Sequence, residues 1–261
     1  MFDNNILIQD LSSRALETIP DIKRAKVLQS LNLSNNKIVE VDKINDLINL
    51  RLWNISNNSL VDLLGLTSLK KLESLNVSKN KLTKFPSEIS SKLKKLNLSE
   101  NNICDLTNLN KLILLESIDL SFNSIVAESF DPSTFLSLNN LKFIDLTGNR
   151  ITRVDSLSKS IPRGIEALFL NKNHILDLTS LYHLSVFTKL KALGISDNPC
   201  SNNVSPHHLH AYLIFLIPSL LVIDFQQINE DIKSSALKSF RDPRTFEIDQ
   251  DIAIIISQGK E

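Results

Sequence analysis

The sequence predicts an α/β solenoid, a curved stack of short repeats with parallel strands on its concave face and 3₁₀ turns or short helices on its convex face. One observation is an eleven-residue pattern with apolar residues at offsets 0, +3, +5 and +10 and an asparagine at +8. A second is its period, because successive copies begin 21 to 26 residues apart. Periods of roughly 20–50 residues are typical of solenoids, in which each repeat packs only on its neighbours.

Eight copies of the pattern keep the asparagine. They are LQSLNLSNNKI from Leu28, LRLWNISNNSL from Leu50, LESLNVSKNKL from Leu72, LKKLNLSENNI from Leu93, LESIDLSFNSI from Leu115, LKFIDLTGNRI from Leu141, IEALFLNKNHI from Ile165 and LKALGISDNPC from Leu190. A degenerate first copy starts at Ile6 and has Arg14 where the asparagine would stand.

Elementary strand geometry explains the pattern. Residues at +3 and +5 point to the same side of a short strand, so stacked strands direct them into one continuous interior. The asparagine follows the strand, where the backbone turns inward, and its amide can both donate to and accept from buried main-chain groups. We expect an asparagine ladder formed by Asn36, Asn58, Asn80, Asn101, Asn123, Asn149, Asn173 and Asn198.

The remainder of each repeat is long enough for one turn of 3₁₀ helix or a short α-helix. The longer repeats from Leu115 onward leave room for true helices, and the segments DPSTFLSLNNL and LTSLYHLSVFTKL are the candidates.

Both ends of a solenoid need a cap. The sequence predicts an N-terminal capping repeat over residues 1–27, repeats over 28–200, a C-terminal cap over 201–228 and a helical tail packed on the cap over 229–261. Within the cap we expect a helix from about His207 to Leu216 and a last strand centred on 221–224. The apolar segment 251–257 is expected to fold back onto the cap or to contact a partner.

Composition argues against several function classes. The 29 basic and 29 acidic residues give zero net charge, which disfavours direct binding to nucleic acid or to a membrane surface. Neither a glycine-rich phosphate loop nor a catalytic triplet can be recognised, so we expect no enzyme and no cofactor. The three histidines near Cys200 match no standard zinc spacing, so no metal is expected. Two cysteines suggest a reduced, intracellular compartment.

The repeat resembles the short, 22-residue leucine-rich-repeat subclass typified by the nuclear regulator of type-one protein phosphatase. The tail resembles the capping motif of that subclass at Asn198, Pro199, Tyr212, Pro218 and Asp224. A spliceosomal A-prime protein, an axonemal dynein light chain and several ciliary proteins share this subclass. The resemblance therefore implies a fold and leaves the partner open.

The run IPRGIEALFLNKNHILDLTSLYHLSVFTKLKALGISDNPC looks like the last repeats of the large centrosomal leucine-rich-repeat family that sits at the distal end of centrioles. Two positions depart from that family: Phe225 stands where glycine usually follows the cap aspartate, and Leu213 stands where arginine usually follows the cap tyrosine. The resemblance implies a coiled-coil centriole-capping protein as partner, a role in restraining centriole extension and cilium formation, and a location in the cytoplasm, cytoskeleton and centrosome. It implies calmodulin as a partner only where a longer C-terminal region exists.

The candidate site lies on the later repeats. Offsets +2, +4 and +6 face the concave surface, and large aromatic side chains outside the core register are typical of a contact surface. The predicted partner-binding residues are Phe122, Phe143 and Phe169, with Asp119, Asp145, Asn171 and Lys172 as a polar rim.

Three functions are compatible with these residues. The first is a non-catalytic centriolar or ciliary scaffold that binds a helical or coiled-coil segment. The second is a regulatory subunit of type-one protein phosphatase, although its resemblance implies aromatic and acidic residues along most concave strands, whereas the first half here carries Asn and Ser. The third is a spliceosomal adaptor.

Overall fold

The computed structural model of the protein describes residues 7–86, 88–135, 137–202 and 204–241. These residues form one sheet whose eleven strands follow in chain order, and β1 to β10 run parallel. The predicted solenoid is confirmed. The strands are β1 Ile8–Asp10, β2 Ser30–Asn32, β3 Leu52–Asn54, β4 Ser74–Asn76, β5 Lys95–Asn97, β6 Ser117–Asp119, β7 Phe143–Asp145, β8 Ala167–Phe169, β9 Ala192–Gly194, β10 Val222–Ile223 and β11 Gln226–Gln227.

The register of the sheet places equivalent offsets side by side, as the period requires. Trp53 at +3, for example, pairs with Leu31 on one side and Leu75 on the other. In the eight copies that keep the asparagine, all residues at offsets 0, +3, +5 and +10 are buried. The interior is therefore one continuous apolar stack, and offsets +2 and +4 are left on the opposite face of the sheet.

The asparagine ladder is confirmed, and Asn101 illustrates its geometry. Its Nδ2 donates to the carbonyl of Leu98 in its own copy at 3.0 Å and to that of Val77 in the preceding copy at 3.1 Å. Its Oδ1 accepts from the backbone N–H of Leu82 at 3.0 Å. The other seven asparagines make equivalent bonds, so each one satisfies buried main-chain groups of two neighbouring turns.

The convex side consists mainly of 3₁₀ turns. They span Ala25–Val27, Leu66–Ser68, Leu109–Lys111, Ala127–Ser129 and Thr179–Val186. The α-helices are α1 Pro132–Phe135, α2 Asp155–Ser160, α3 Pro199–Asn202, α4 Pro206–Leu216 and α5 Glu230–Arg241.

The prediction of an α-helix in LTSLYHLSVFTKL is wrong, because residues Thr179–Val186 form a 3₁₀ helix. The buried residues Leu181, Leu184 and Phe187 recur every three positions, which is the period of a 3₁₀ helix. The candidate in DPSTFLSLNNL is confirmed only as the single turn α1.

The last repeat is covered by α4, which begins after Ser205 and has proline at its first position. The Ser205 Oγ accepts from the backbone N–H of His208 at 3.3 Å, as an N-cap does. Helix α5 packs against α4 and buries Ala236. The segment 251–257 lies outside the described residues. The sequence did not predict β11, which pairs antiparallel with β10.

One edge of the sheet carries alternating charges at offset +1. Glu73 lies between Arg51 and Lys94, with nitrogen–oxygen distances of 2.8 and 3.2 Å. Glu166 lies in the same way between Lys142 and Lys191, at 3.4 and 2.7 Å. These ion pairs connect neighbouring repeats, and they leave most of the charged side chains at offset +1 paired within the protein.

Replacing Asn101 by alanine is expected to lower the free energy of unfolding by about 1–3 kcal/mol, because the buried N–H of Leu82 loses its partner and the carbonyls of Leu98 and Val77 each lose one of two donors. Denaturant unfolding measures the change. The matched control is Asn102→Ala, since Asn102 is the exposed neighbour of Asn101. Equal effects of the two substitutions would contradict the assigned role.

The two cysteines are expected to differ in reactivity. Cys104 is exposed, whereas Cys200 is buried and its burial raises the pKa of its thiol to about 11. Because the thiolate is the reactive form, a disulfide reagent at pH 8 should modify one thiol rapidly and the second only on unfolding. Two rapid thiols in the native protein, or none, would contradict the structure. The Cys104→Ser variant should lose the rapid phase.

Candidate functional site

The concave face changes its chemistry along the solenoid at offset +4. Four copies carry asparagine there, the next two carry aspartate, and the last two carry phenylalanine and glycine. In chain order these residues are Asn32, Asn54, Asn76, Asn97, Asp119, Asp145, Phe169 and Gly194. At this offset the first four of these copies are neutral and polar, whereas the last four include both acidic and aromatic side chains.

The polar residues at +4 hold the turn that follows each strand. Asn97 Oδ1 accepts from the backbone N–H of Ser99 at 2.9 Å, and Asp145 Oδ1 accepts from that of Thr147 at 2.8 Å. Gly194 has no such acceptor. Asp224 of the cap supplies the missing acceptor: the Asp224 Oδ1 accepts from the N–H groups of Ile195 and Ser196 at 2.7 and 2.9 Å.

Two of the predicted aromatic residues come together. Phe143 on β7 and Phe169 on β8 are half-buried, and their ring centroids lie 5.6 Å apart. They occupy diagonal positions on adjacent strands, offset +2 and offset +4, where long side chains can touch. The aromatic contact between consecutive repeats therefore lies where the sequence placed it.

Phe225 extends this pair, and the sequence prediction missed it. Its ring stacks on that of Phe169 with 6.1 Å between centroids and 12° between planes. Phe225 is 81% exposed, more than any other large hydrophobic residue that the structure describes. We call Phe143, Phe169 and Phe225 the aromatic row.

The backbone at Phe225 has an uncommon conformation. Asp224 and Phe225 form the two-residue loop between β10 and β11, with φ of +46° and +67°. Such hairpin loops require positive φ at both positions and favour glycine at the second. A bulky residue there is strained, and strain of this kind is often found at functional sites. The departure noted in the sequence thus places an exposed ring at a position that suits glycine.

The third predicted aromatic residue lies apart from the row. Phe122 belongs to the turn after β6, has φ of +53° and is 48% exposed. Its ring lies over Gly148 of the next copy, where an added Cβ would come within 2.5 Å of Phe122 Cδ1. In the part of the chain that the structure describes, its ring meets neither Phe143 nor Phe169, so the expected three-ring patch needs correction.

The predicted rim residues have different environments. Asp119 and Asp145 are half-buried register partners on β6 and β7, and Lys172 is exposed in the turn after β8. Asn171 is only 5% exposed, so the expectation of an exposed rim residue is wrong. Its side chain fits into the space left by Gly194, and its Nδ2 donates to Ser196 Oγ at 2.7 Å and to Asp224 Oδ1 at 2.8 Å.

Burial raises the pKa of Asp145. The charge of Asp119 raises it further, while the bonds from Thr147 lower it. No ion pair involves Asp119 or Asp145 within the described ranges. The second half of the concave face therefore combines aromatic rings with carboxylates that form no ion pair with any described residue.

A separate cleft of about 850 Å³ opens on the convex side around Thr152, Leu176 and Tyr182. Two of its charged groups are paired with each other, because Arg153 binds both carboxylate oxygens of Asp155 at 3.0 and 2.7 Å. These bonds lower the pKa of Asp155 to about 2, so this carboxylate is a poor proton carrier near neutral pH.

Two further features bear on ligands and membranes. Among the described residues, no three side chains of His, Cys, Asp or Glu are grouped so that they could hold a metal ion. No helix in the described ranges is both long and apolar enough to cross a bilayer.

A family model described as leucine-rich repeat matches residues 88–253, which is more than half of the chain. A second leucine-rich-repeat model matches residues 27–53 and 71–91. The chain is a leucine-rich-repeat protein. This confirms the repeat family expected from the sequence.

Two relatives of this leucine-rich-repeat chain belong, by their names, to different assemblies. The human U2 small nuclear ribonucleoprotein A′ is 32% identical over 120 residues, which is 46% of each chain. The human cilia- and flagella-associated protein 410 is 29% identical over 107 residues, which is 41% of each chain. The matched regions thus span less than half the length of these relatives.

Solved leucine-rich-repeat structures agree in fold. A leucine-rich-repeat protein of Leptospira interrogans superposes with a TM-score of 0.68 at 26% identity and covers 83% of this chain and 54% of its own. Internalin C2 of Listeria monocytogenes superposes with a TM-score of 0.60 at 23% identity, over 76% of this chain and 81% of its own. The second likeness concerns the fold alone.

The Asp145→Asn variant is expected to be more stable than the wild type at pH 7. Asparagine can still accept from the Thr147 N–H, as Asn97 accepts from Ser99, and it avoids a buried charge. Because the pKa of the folded carboxyl is raised above its ordinary 3.8, the charge opposes folding fully above the raised pKa, and the difference should shrink as the pH falls from there towards 3.8 and be absent below it. Thermal melts from pH 3 to 8 measure this, and a variant less stable than the wild type at pH 7 would contradict it.

Proposed function

We propose that this protein is a non-catalytic scaffold that binds a helical segment of a partner protein on the concave face of its later repeats. The observation that carries the proposal is the aromatic row. It is a continuous contact of three rings that spans two repeats and the cap, and it ends in the 81% exposed Phe225. Exposed aromatic clusters are characteristic of interaction surfaces, and aromatic residues commonly dominate their binding energy.

A helix suits this surface because the row runs across the strands. Neighbouring strands are about 4.8 Å apart, and one turn of an α-helix rises about 5.4 Å. A helix laid across β7, β8 and β9 would therefore bring about one turn over each strand. Its apolar face could contact the aromatic row in the manner of a helix in a groove.

We place this scaffold in a ciliary or centriolar setting, with a coiled-coil centriole-capping protein as the suggested partner. Similarity to cilia- and flagella-associated protein 410 supports the setting. The resemblance of the later repeats to the centrosomal family supports the suggested partner. This placement implies that the protein acts in the cytoplasm at the cytoskeleton and that it binds no nucleic acid directly.

A spliceosomal adaptor is the second candidate, favoured by the similarity to U2 small nuclear ribonucleoprotein A′. A regulatory subunit of type-one phosphatase is less well supported. Its resemblance calls for aromatic and acidic residues along most of the concave strands, whereas here they are concentrated in the second half.

Phe225→Gly should separate binding from folding. Glycine relieves a strained positive φ, so the free energy of unfolding should stay level or rise by up to about 1 kcal/mol, while partner recovery should fall at least tenfold. The double change Phe143→Ala and Phe169→Ala should abolish recovery with the melting temperature nearly intact. Leu176→Ala is the matched control, because Leu176 is 71% exposed on the other side of the molecule.

The readout is affinity purification of the full chain from cells of its own organism, with quantitative mass spectrometry. Proteins lost from both row variants and kept by the control are the partners. Ciliary or centriolar proteins among them would support the first setting, and spliceosomal proteins the second. Wild-type recovery by both variants would overturn the proposal, and a large loss of stability in the double variant would mean that the two rings are core residues.

A further inference from the structure

Asp119 and Asp145 carry charge that the fold does not need. Asn97 Oδ1 accepts from the backbone N–H and the Oγ of Ser99 at 2.9 and 2.7 Å. Asp119 Oδ1 accepts from the same two groups of Ser121 at 3.0 and 2.7 Å. A neutral amide therefore holds this turn as well as a carboxylate does, and four preceding copies use one.

The charge is also unfavourable for the isolated protein. Asp119 and Asp145 are direct register partners on parallel strands, and like charges on facing residues oppose each other. Within the described part of the chain, neither forms an ion pair, in contrast to the alternating ladder at offset +1. Two carboxylates thus stand next to the aromatic row without an ion-pair partner among the described residues.

An independent feature of the same face also lacks a donor. Asn171 is 5% exposed, and its Oδ1 has no hydrogen-bond partner among the described residues. This oxygen lies over Gly194, in the place where a side chain at that offset would begin, and Phe169 Cδ1 borders the same place. A buried acceptor without a partner is uncommon in folded proteins. Acceptors therefore lie on both sides of Phe169, but the Asn171 oxygen is buried, so the carboxylates of Asp119 and Asp145 are the ones that a partner can reach.

We propose that the partner helix carries an arginine that pairs with Asp119 and Asp145, one helical turn from the apolar residue that contacts Phe169. This inference rests on the proposed function. Asp145 and Phe169 are register partners, about 4.8 Å apart, which matches the spacing of residues i and i+4 on a helix. Arginine suits the site because its fork can bind both carboxylates and its plane can stack on a ring.

A helix library provides the test without knowledge of the partner. Alanine-rich 18-residue helices with one randomised face are displayed on phage and selected against the immobilised full chain. The same selection is made against the double variant Asp119→Asn and Asp145→Asn. Asp105→Asn with Asp131→Asn is the matched control, because it removes the same charge from exposed positions outside the concave strands.

Wild type and control should both select arginine one turn from an apolar anchor. Helices selected against the double variant Asp119→Asn and Asp145→Asn, the concave variant, should keep the apolar anchor but show no preference for arginine. The selected arginine peptide should bind the concave variant at least tenfold more weakly by calorimetry, with circular dichroism of the proteins unchanged. Thermal melts of the concave variant exclude misfolding as the cause.

The two proposals fail in different ways. The arginine site would be overturned if the selected helices need the aromatic row but show no preference for a basic residue. It would also be overturned if that preference is equally strong against the variant Asp119→Asn, Asp145→Asn. In both cases the proposed function would still stand. Selected helices that bind Phe225→Gly and the double variant Phe143→Ala, Phe169→Ala as tightly as the wild type would count against the proposed function. A selection that yields no binder would count against both.

Discussion

Each repeat of this solenoid must turn its backbone inward where water cannot reach it, and the asparagine ladder satisfies that constraint. Each rung joins two copies, as Asn101 does when it binds carbonyls of both Leu98 and Val77. Neighbouring repeats are therefore coupled by polar bonds as well as by the apolar core. The ladder also fixes the turn so closely that the residue just before each rung adopts positive φ, whether it is Asn35, Lys79 or Phe122.

A fixed turn leaves the concave face free to vary. The side chains at +2 and +4 point away from the core. Of the two, only the one at +4 stabilises the turn, because its oxygen accepts from a backbone N–H of that turn. A residue from another part of the chain can supply this acceptor, as Asp224 of the cap does for the turn after Gly194. The glycine in turn makes room for the side chain of Asn171 and for the ring of Phe169. The contact surface thus depends on Asp224, a cap residue that accepts the turn hydrogen bonds which the residue at +4 accepts in other repeats.

Much of the fold was predictable because its determinants are local and periodic. The offsets of the pattern gave the strand register, the core and the ladder, and Pro199 to Asp224 gave the cap helix and last strand. The 3₁₀ segment at Thr179–Val186 was misjudged as an α-helix, although the spacing of Leu181, Leu184 and Phe187 by threes was visible.

The candidate site was only partly predictable because its geometry involves residues distant in sequence. Phe143 and Phe169 followed from their offsets, but the stacking of Phe225 on Phe169 requires a hairpin between β10 and β11 that no repeat pattern describes. The one available signal was a phenylalanine where glycine is usual. The burial of Asn171 depends on a missing side chain in the following copy, which the residues around Asn171 could not reveal.

The concentration of acidic and aromatic residues in the second half has a consequence for length. The four copies with asparagine at +4, from Asn32 to Asn97, lie outside that half, so removing or adding one of them would change its chemistry little. Each copy would instead displace the N-terminal end relative to the aromatic row by about 4.8 Å. The first half can then serve as a spacer of graded length, whose number of repeats sets how far from the contact surface the N-terminal end lies.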